Sequence, residues 1–154
     1  MMSLCCDVIR KLEGKTLVTA ESLTGGGIGA ALTSVSGSSA VYKGGVISYT
    51  NAVKHQILGV PMETLDRYGA VSKPVAKAMA EGVRKLLEAD IAVSVTGLAG
   101  PGGDEYGNPV GTVFIGYSDA DLTEVKQFQF SGDRESIRKQ TAQEAVKLIL
   151  NHQS

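Results

Sequence analysis

The run DIAVSVTG, residues 90 to 97, constrains the fold more than any other stretch. It barely alternates and is apolar nearly throughout, which is the pattern of a strand buried on both faces of a central sheet. Such a strand needs cover above and below, and helices supply it in α/β proteins. The flanking pattern provides them. MMSLCCDVIRKLEG reads as a short amphipathic helix, KTLVTAES as a strand running into Gly25, Gly26 and Gly27, and IGAALTSV as a helix of small residues. VYKGGVISYT is a second extended segment, and NAVKHQILGV a short helix opened by Asn51 as N-cap and closed near Gly59. From Ser72 to about Ala89, Val75, Met79, Val83, Leu86 and Leu87 share a helical face, with Ser72 as cap and Pro74 in the first turn. Residues 112–118 and 122–130 are strand-like on either side of SDAD, short enough for an antiparallel hairpin. A last helix begins after Gly132 and carries Ile137, Ala145, Leu148 and Ile149. The expectation is one α/β domain over residues 1–154, a three-layer α/β/α sandwich with a mixed central sheet.

Charge and composition narrow the function. The 154 residues carry a net charge of -1, so nothing chain-wide recommends nucleic acid as a partner. Tryptophan is absent and Phe and Tyr are few, which removes the stacking platforms used for single strands. Cys5 and Cys6 are adjacent and form no disulfide framework. The charged N-terminal segment is unlike a signal peptide, and no stretch approaches the roughly 20 apolar residues of a membrane span. The expected setting is cytoplasmic, with no membrane partner. Nineteen glycines are about 12% of the chain against a typical ~7%, and they cluster, which marks loops.

Four constellations can carry chemistry. In AESLTGGG a strand delivers Glu21, Ser22 and Thr24 to a turn containing Gly25 and Gly26, where free N–H groups and a helix dipole suit an anion. A tight strand-to-helix turn explains the same residues without a ligand. In SGSSAVYKGGVISYTNAVK, Ser38 and Ser39 precede a strand carrying Tyr49, and Lys54 comes one short turn later. With only His55 and His152 in the chain, a lysine is a serious candidate for the base that a serine nucleophile needs. Burial must then lower its pKa from the ordinary ~10.4. The plain alternative is a turn-capping serine and a solvated lysine. In VTGLAGPGGDEYGNPVGT a buried strand opens at Thr96 and Gly97 into a glycine loop that includes Gly100, at a strand end where ligands of open α/β sheets lie. Arg134 and Arg138, i and i+4 at the start of the last helix, could grip a phosphate together or pair with Asp133 and Glu135. Metal chemistry finds only Asp104 and Glu105 as an argument for Mg²⁺.

TAESLTGG, SGSSAVYKGGVISYTNAVK, LGV, GAVS and VTGLAGPGG with PVGTV, in this order, resemble the CinA C-terminal domain family, the nicotinamide mononucleotide deamidases also called PncC. The resemblance runs from about residue 17 to the GDRESIRKQ helix and implies hydrolysis of the nicotinamide mononucleotide carboxamide to nicotinate mononucleotide and ammonia in pyridine nucleotide salvage. It implies no metal or organic cofactor, and a domain that commonly self-associates as a homo-oligomer. Carried over, it implies Ser39 as nucleophile with Ser38 as competitor, Lys54 as base and Tyr49 as support for proton transfer. Glu21, Ser22, Thr24, Gly25 and Gly26, with Thr96, Gly97 and Gly100, then build the pocket, and Arg134 or Arg138 holds the 5'-phosphate. Leu23 stands where many relatives carry cysteine, and Asn108 where lysine is frequent. A nucleotide-binding module without turnover and a hydrolase of another amide are the rival readings.

Overall fold

The computed structural model describes residues 1–153. Its centre is the strand expected from the apolar run: β3, Ile91–Gly97, is buried along its length save for the half-buried Gly97 at its end. Beside it lie β1 (Leu17–Glu21), parallel, and β4 (Thr112–Ser118), antiparallel. β2 (Tyr42–Ile47) pairs parallel with β1 at one edge, and β5 (Thr123–Gln129) pairs antiparallel with β4 at the other. The order is β2-β1-β3-β4-β5, a mixed sheet as expected.

Helices cover both faces. On one lie α1 (Met2–Lys11), α2 (Gly27–Thr33) and α6 (Arg134–Asn151), closing a core that includes Leu12, Leu17, Ile28, Val93, Val95 and Ile149. On the other, α5 (Lys73–Leu86) lays Val75, Met79 and Val83 against Val18, Ala20 and Ala92. Two short helices complete this layer: α3 (Asn51–Gln56) and α4 (Met62–Tyr68), the latter without a counterpart in the sequence expectations. Ser38–Ala40 form one tight helical turn. Alternate β3 side chains enter different cores, Val93 and Val95 one and Ala92 the other, so the sheet is the middle of three layers. No helix among the described residues is long and apolar enough to cross a membrane.

Two caps differ from expectation. Thr50, not Asn51, caps α3 by accepting from the Val53 N–H, so Asn51 becomes its first helical residue. Ser72 precedes α5, but its hydroxyl donates to the Gly69 carbonyl instead of capping. Asp133 caps α6 through the Ser136 N–H.

Candidate active site

Parallel β1 and β3 end on the same side of the sheet, and the connections after β1, β2 and β3 meet there. The β1–β2 association continues past the last paired residues, because the Ser48 N–H donates to the Glu21 carbonyl at 2.7 Å. That bond brings the end of β2 beside Ser22. α3 then turns its one buried residue, Lys54, inward, 1% exposed. Its Nζ lies 3.0 Å from Ser22 Oγ, 2.7 Å from the Ser48 carbonyl oxygen and 3.3 Å from that of Tyr49. Among the described residues no carboxylate forms an ion pair with it. Burial without a counter-charge brings the ammonium pKa down from 10.5 to about 8.

The coordination of Nζ decides what Lys54 can do. A neutral amine has two N–H donors and one lone pair. Two carbonyl oxygens are placed to accept the donors, which leaves the lone pair for the Ser22 hydroxyl proton. In its neutral form Lys54 is thus placed to accept the Ser22 hydroxyl proton.

The cavity above this pair has a volume of about 290 Å³. Its lining includes Ser22, Leu23, Tyr49, Lys54, Ala70, Val71, Gly102 and Arg134, together with Thr96 to Gly100 of the β3–β4 connection. Arg134 spans the mouth, donating from Nη1 to the Gly100 carbonyl at 2.6 Å and from Nη2 to the Tyr49 hydroxyl at 3.2 Å. The β3–β4 connection is itself held in place. Asp104 accepts from the Tyr106 and Asn108 N–H groups and from Asn108 Nδ2, which also donates to the Val71 carbonyl. Tyr106 reaches the Asp66 carbonyl at 2.8 Å, its ring seated against Gly69. Asp104 thus spends its oxygens on the loop, and no group of three or more metal-ligating side chains occurs among the described residues. A larger concavity of 710 Å³ lies at the β4–β5 turn, beyond the opposite end of β3. There the Thr123 hydroxyl lies 2.8 Å from a Glu81 carboxylate oxygen and 2.9 Å from Ser118 Oγ, and among the described residues no buried lysine lines it.

Several expected site residues sit elsewhere. Ser38 and Ser39 precede β2, beside the Leu17 end of β1, whereas Lys54 lies past the far end of β2. Six residues of strand at ~3.3 Å each put roughly 20 Å between those ends. Ser39 is therefore not beside Lys54 within this chain, and neither it nor Ser38 lines the cavity. Tyr49 does line it, with its carbonyl oxygen on Lys54 and its phenol oxygen accepting from Arg134.

Glu21 is 2% exposed and faces inward. Its carboxylate accepts from the Thr24 hydroxyl and from the N–H groups of Ile28 and Gly29. The Ile28 and Gly29 N–H groups in the first turn of α2 are thus taken by the chain's own carboxyl group rather than left for a ligand. Thr24 lines a separate groove between α2 and α6. Arg138 donates to the carbonyls of Leu23 and Thr24 and does not reach the cavity, so Arg134 alone of the two faces it. Neither arginine pairs with Asp133 or Glu135; Glu135 pairs with Lys139. Thr96, Gly97 and Gly100 line the cavity, with the Thr96 hydroxyl on the Ala70 carbonyl. Sequence reasoning placed Ser22 in the pocket but did not give it to Lys54, although both lie just past strands that a parallel pairing would align.

A family model for the CinA C-terminal domain matches residues 3–152. This chain belongs to the CinA C-terminal domain family. A CinA-like protein of Endomicrobium trichonymphae is 51% identical over 135 residues, covering 88% of this chain and 32% of that protein. The chain spans about a third of the length of the curated relatives it matches. Two crystal structures share the fold closely. The competence damage-inducible protein A of Klebsiella pneumoniae superposes with a TM-score of 0.95 at 37% identity, covering 99% of this chain and 98% of that one. The competence/damage inducible protein CihA of Agrobacterium tumefaciens gives 0.94 at 38% identity, covering 97% and 93%. The Ser22–Lys54 cavity therefore lies in a CinA domain whose architecture is shared across these proteins.

Proposed function

We propose that this CinA domain is a nicotinamide-nucleotide amidase, hydrolysing nicotinamide mononucleotide to nicotinate mononucleotide and ammonia with Ser22 as nucleophile and Lys54 as base. The observation that carries the reading is the 3.0 Å contact between Lys54 Nζ and Ser22 Oγ, with both amine donors offered carbonyl partners. Ser22 replaces Ser39 in that role, because a nucleophile must lie within hydrogen-bond reach of its base.

The chemistry is acyl transfer. Ser22 Oγ attacks the carboxamide carbon as its proton passes to Lys54 Nζ, and backbone N–H groups of the Gly97–Gly100 segment stabilise the oxyanion. Collapse of the tetrahedral intermediate breaks the C–N bond, Lys54 returns the proton to nitrogen, and ammonia leaves. Lys54, neutral again, takes a proton from water, whose hydroxide adds to the acyl carbon. Collapse releases the acid and restores the Ser22 hydroxyl. A cavity of about 290 Å³ is at the small end for ligand sites and suits the base and ribose, with the 5'-phosphate at the rim on Arg134.

The test is ammonia release by purified protein from nicotinamide mononucleotide, nicotinamide riboside and nicotinamide. The reading expects release from the mononucleotide, with kcat/KM lower for the riboside because the Arg134 contact is lost. An Arg134→Gln variant should treat the two nucleosidic substrates alike. Saturable binding without ammonia release would replace the enzyme with a nucleotide-binding module; release only from another amide would change the substrate.

A further inference from the structure

We propose that Arg138 is a positioning residue for the nucleophile, holding the turn after Ser22 in the arrangement that keeps Oγ against Lys54. The inference rests on the Ser22–Lys54 reading above. Arg138 lies 115 positions after Leu23 in the chain, yet its Nε donates to the Leu23 carbonyl at 2.8 Å and its Nη2 to the Thr24 carbonyl at 3.2 Å. Among the described residues it joins no ion pair, while its neighbour Lys139 takes Glu135. A guanidinium fork on two successive carbonyls is a charge-assisted, directional grip.

Peptide planarity carries that grip to Ser22. The Thr24 carbonyl and the Gly25 N–H belong to one rigid peptide unit. Its oxygen is on Arg138, and its N–H donates to the Ser22 carbonyl at 3.1 Å. Fixing one side of the unit fixes the other, so the α6 arginine sets the closure of the turn on the nucleophile's own residue. Gly25 permits this arrangement: its φ is +59°, and a Cβ there would lie 3.3 Å from Arg138 Nη2. Glu21 holds the same turn from the core side through Thr24, Ile28 and Gly29. The turn is thus clamped between a buried carboxylate and a guanidinium that do not touch each other.

The experiment measures two rates in wild type, Arg138→Ala, Arg138→Lys and the control Lys139→Ala. One is ammonia release from nicotinamide mononucleotide; the other is modification of Ser22 by a small fluorophosphonate, followed by mass spectrometry. Misplacement of a reacting group by about 1 Å costs on the order of 100-fold, so Arg138→Ala should lose about that factor in kcat and in Ser22 modification. KM should stay within about threefold, because uniform substrate binding is untouched. Lys139→Ala should match wild type. Millimolar guanidinium should restore much of the Arg138→Ala loss, and Arg138→Lys, which cannot reproduce the fork, should recover little.

A raised KM with unchanged kcat and unchanged Ser22 modification would make Arg138 a phosphate contact and overturn the proposal. A lower melting temperature with wild-type Ser22 modification would make it merely structural, with the same consequence. If Arg138→Ala does not fold, Arg138→Lys carries the test, and wild-type Ser22 modification in it overturns the proposal. Wild-type protein that is modified at Ser22 but releases no ammonia would refute the substrate while the Arg138 effect on modification still supports positioning. No modification of Ser22 in wild type would overturn both.

Discussion

A lysine that is 1% exposed and, among the described residues, paired with no carboxylate is held at a cost, and under the proposed function that cost makes Lys54 usable as a base. With its pKa at about 8, the active amine form declines below that pH. kcat/KM should fall about tenfold per pH unit under pH 7 and level off above about pH 9, as measured by initial rates across buffers of constant ionic strength. Arginine cannot lose its proton in this range, so Lys54→Arg should be inactive at every pH. The same shift has a stability consequence. The folded-state pKa is depressed below the unfolded one, so the unfolded chain binds more protons between them, and stability rises with pH from about 8 to 10.5. Relative to Lys54→Met, wild type should gain up to about 3 kcal/mol between pH 7 and 11, read from urea midpoints at each pH. A difference that stays flat would mean that burial leaves the Lys54 pKa where it stands in the unfolded chain.

At the scale of elements, the β1–α2 connection decides where Ser22 stands. Glu21 closes the first turn of α2 with two backbone N–H groups and the Thr24 hydroxyl. Glu21→Gln replaces one acceptor oxygen with a donor facing those groups, so the variant should lose about 1–3 kcal/mol of stability and a share of kcat. Denaturant titration beside steady-state kinetics checks both. Here the sequence was readable only in part. The strand, the glycine turn and the helix after it were all legible in KTLVTAESLTGGGIGAALTSV, because propensity and glycine placement are local properties. Which way Glu21 points was not: strand alternation does not say whether a carboxylate at a strand's end faces the ligand or caps the next helix. The i, i+4 spacing of Arg134 and Arg138 correctly put both on one side of α6. It could not show that one reaches Gly100 and the other Leu23, which depends on how α6 crosses the sheet.

For the molecule as a whole, the sheet order is what assembles the site. The mixed three-layer fold comes from one doubly buried strand and the helices around it, and this much was present in the apolar pattern. The partner of Lys54 was not, because it depends on strand alignment: β2 runs parallel to β1, so the connections leaving the two strands meet at one end of the sheet, and Ser39 is left at the other. The layers are also tied across their interface. Gly82 of α5 sits where a Cβ would lie 2.0 Å from the Leu58 carbonyl oxygen, in the segment just after α3. Gly82→Ala should therefore displace α3 and Lys54 together, destabilising by about 1–3 kcal/mol and lowering kcat in the same variant. Loss of stability with unchanged kcat, in melting and rate measurements on that variant, would show that α3 does not move with α5.

Side-by-side ammonia release by Ser22→Ala and Ser39→Ala decides which serine is the nucleophile of Lys54 under the proposed function. Ser22→Ala should lose at least about a thousandfold in kcat while Ser39→Ala stays within about twofold of wild type. Activity that survives Ser22→Ala and vanishes with Ser39→Ala would contradict the assignment of Ser22.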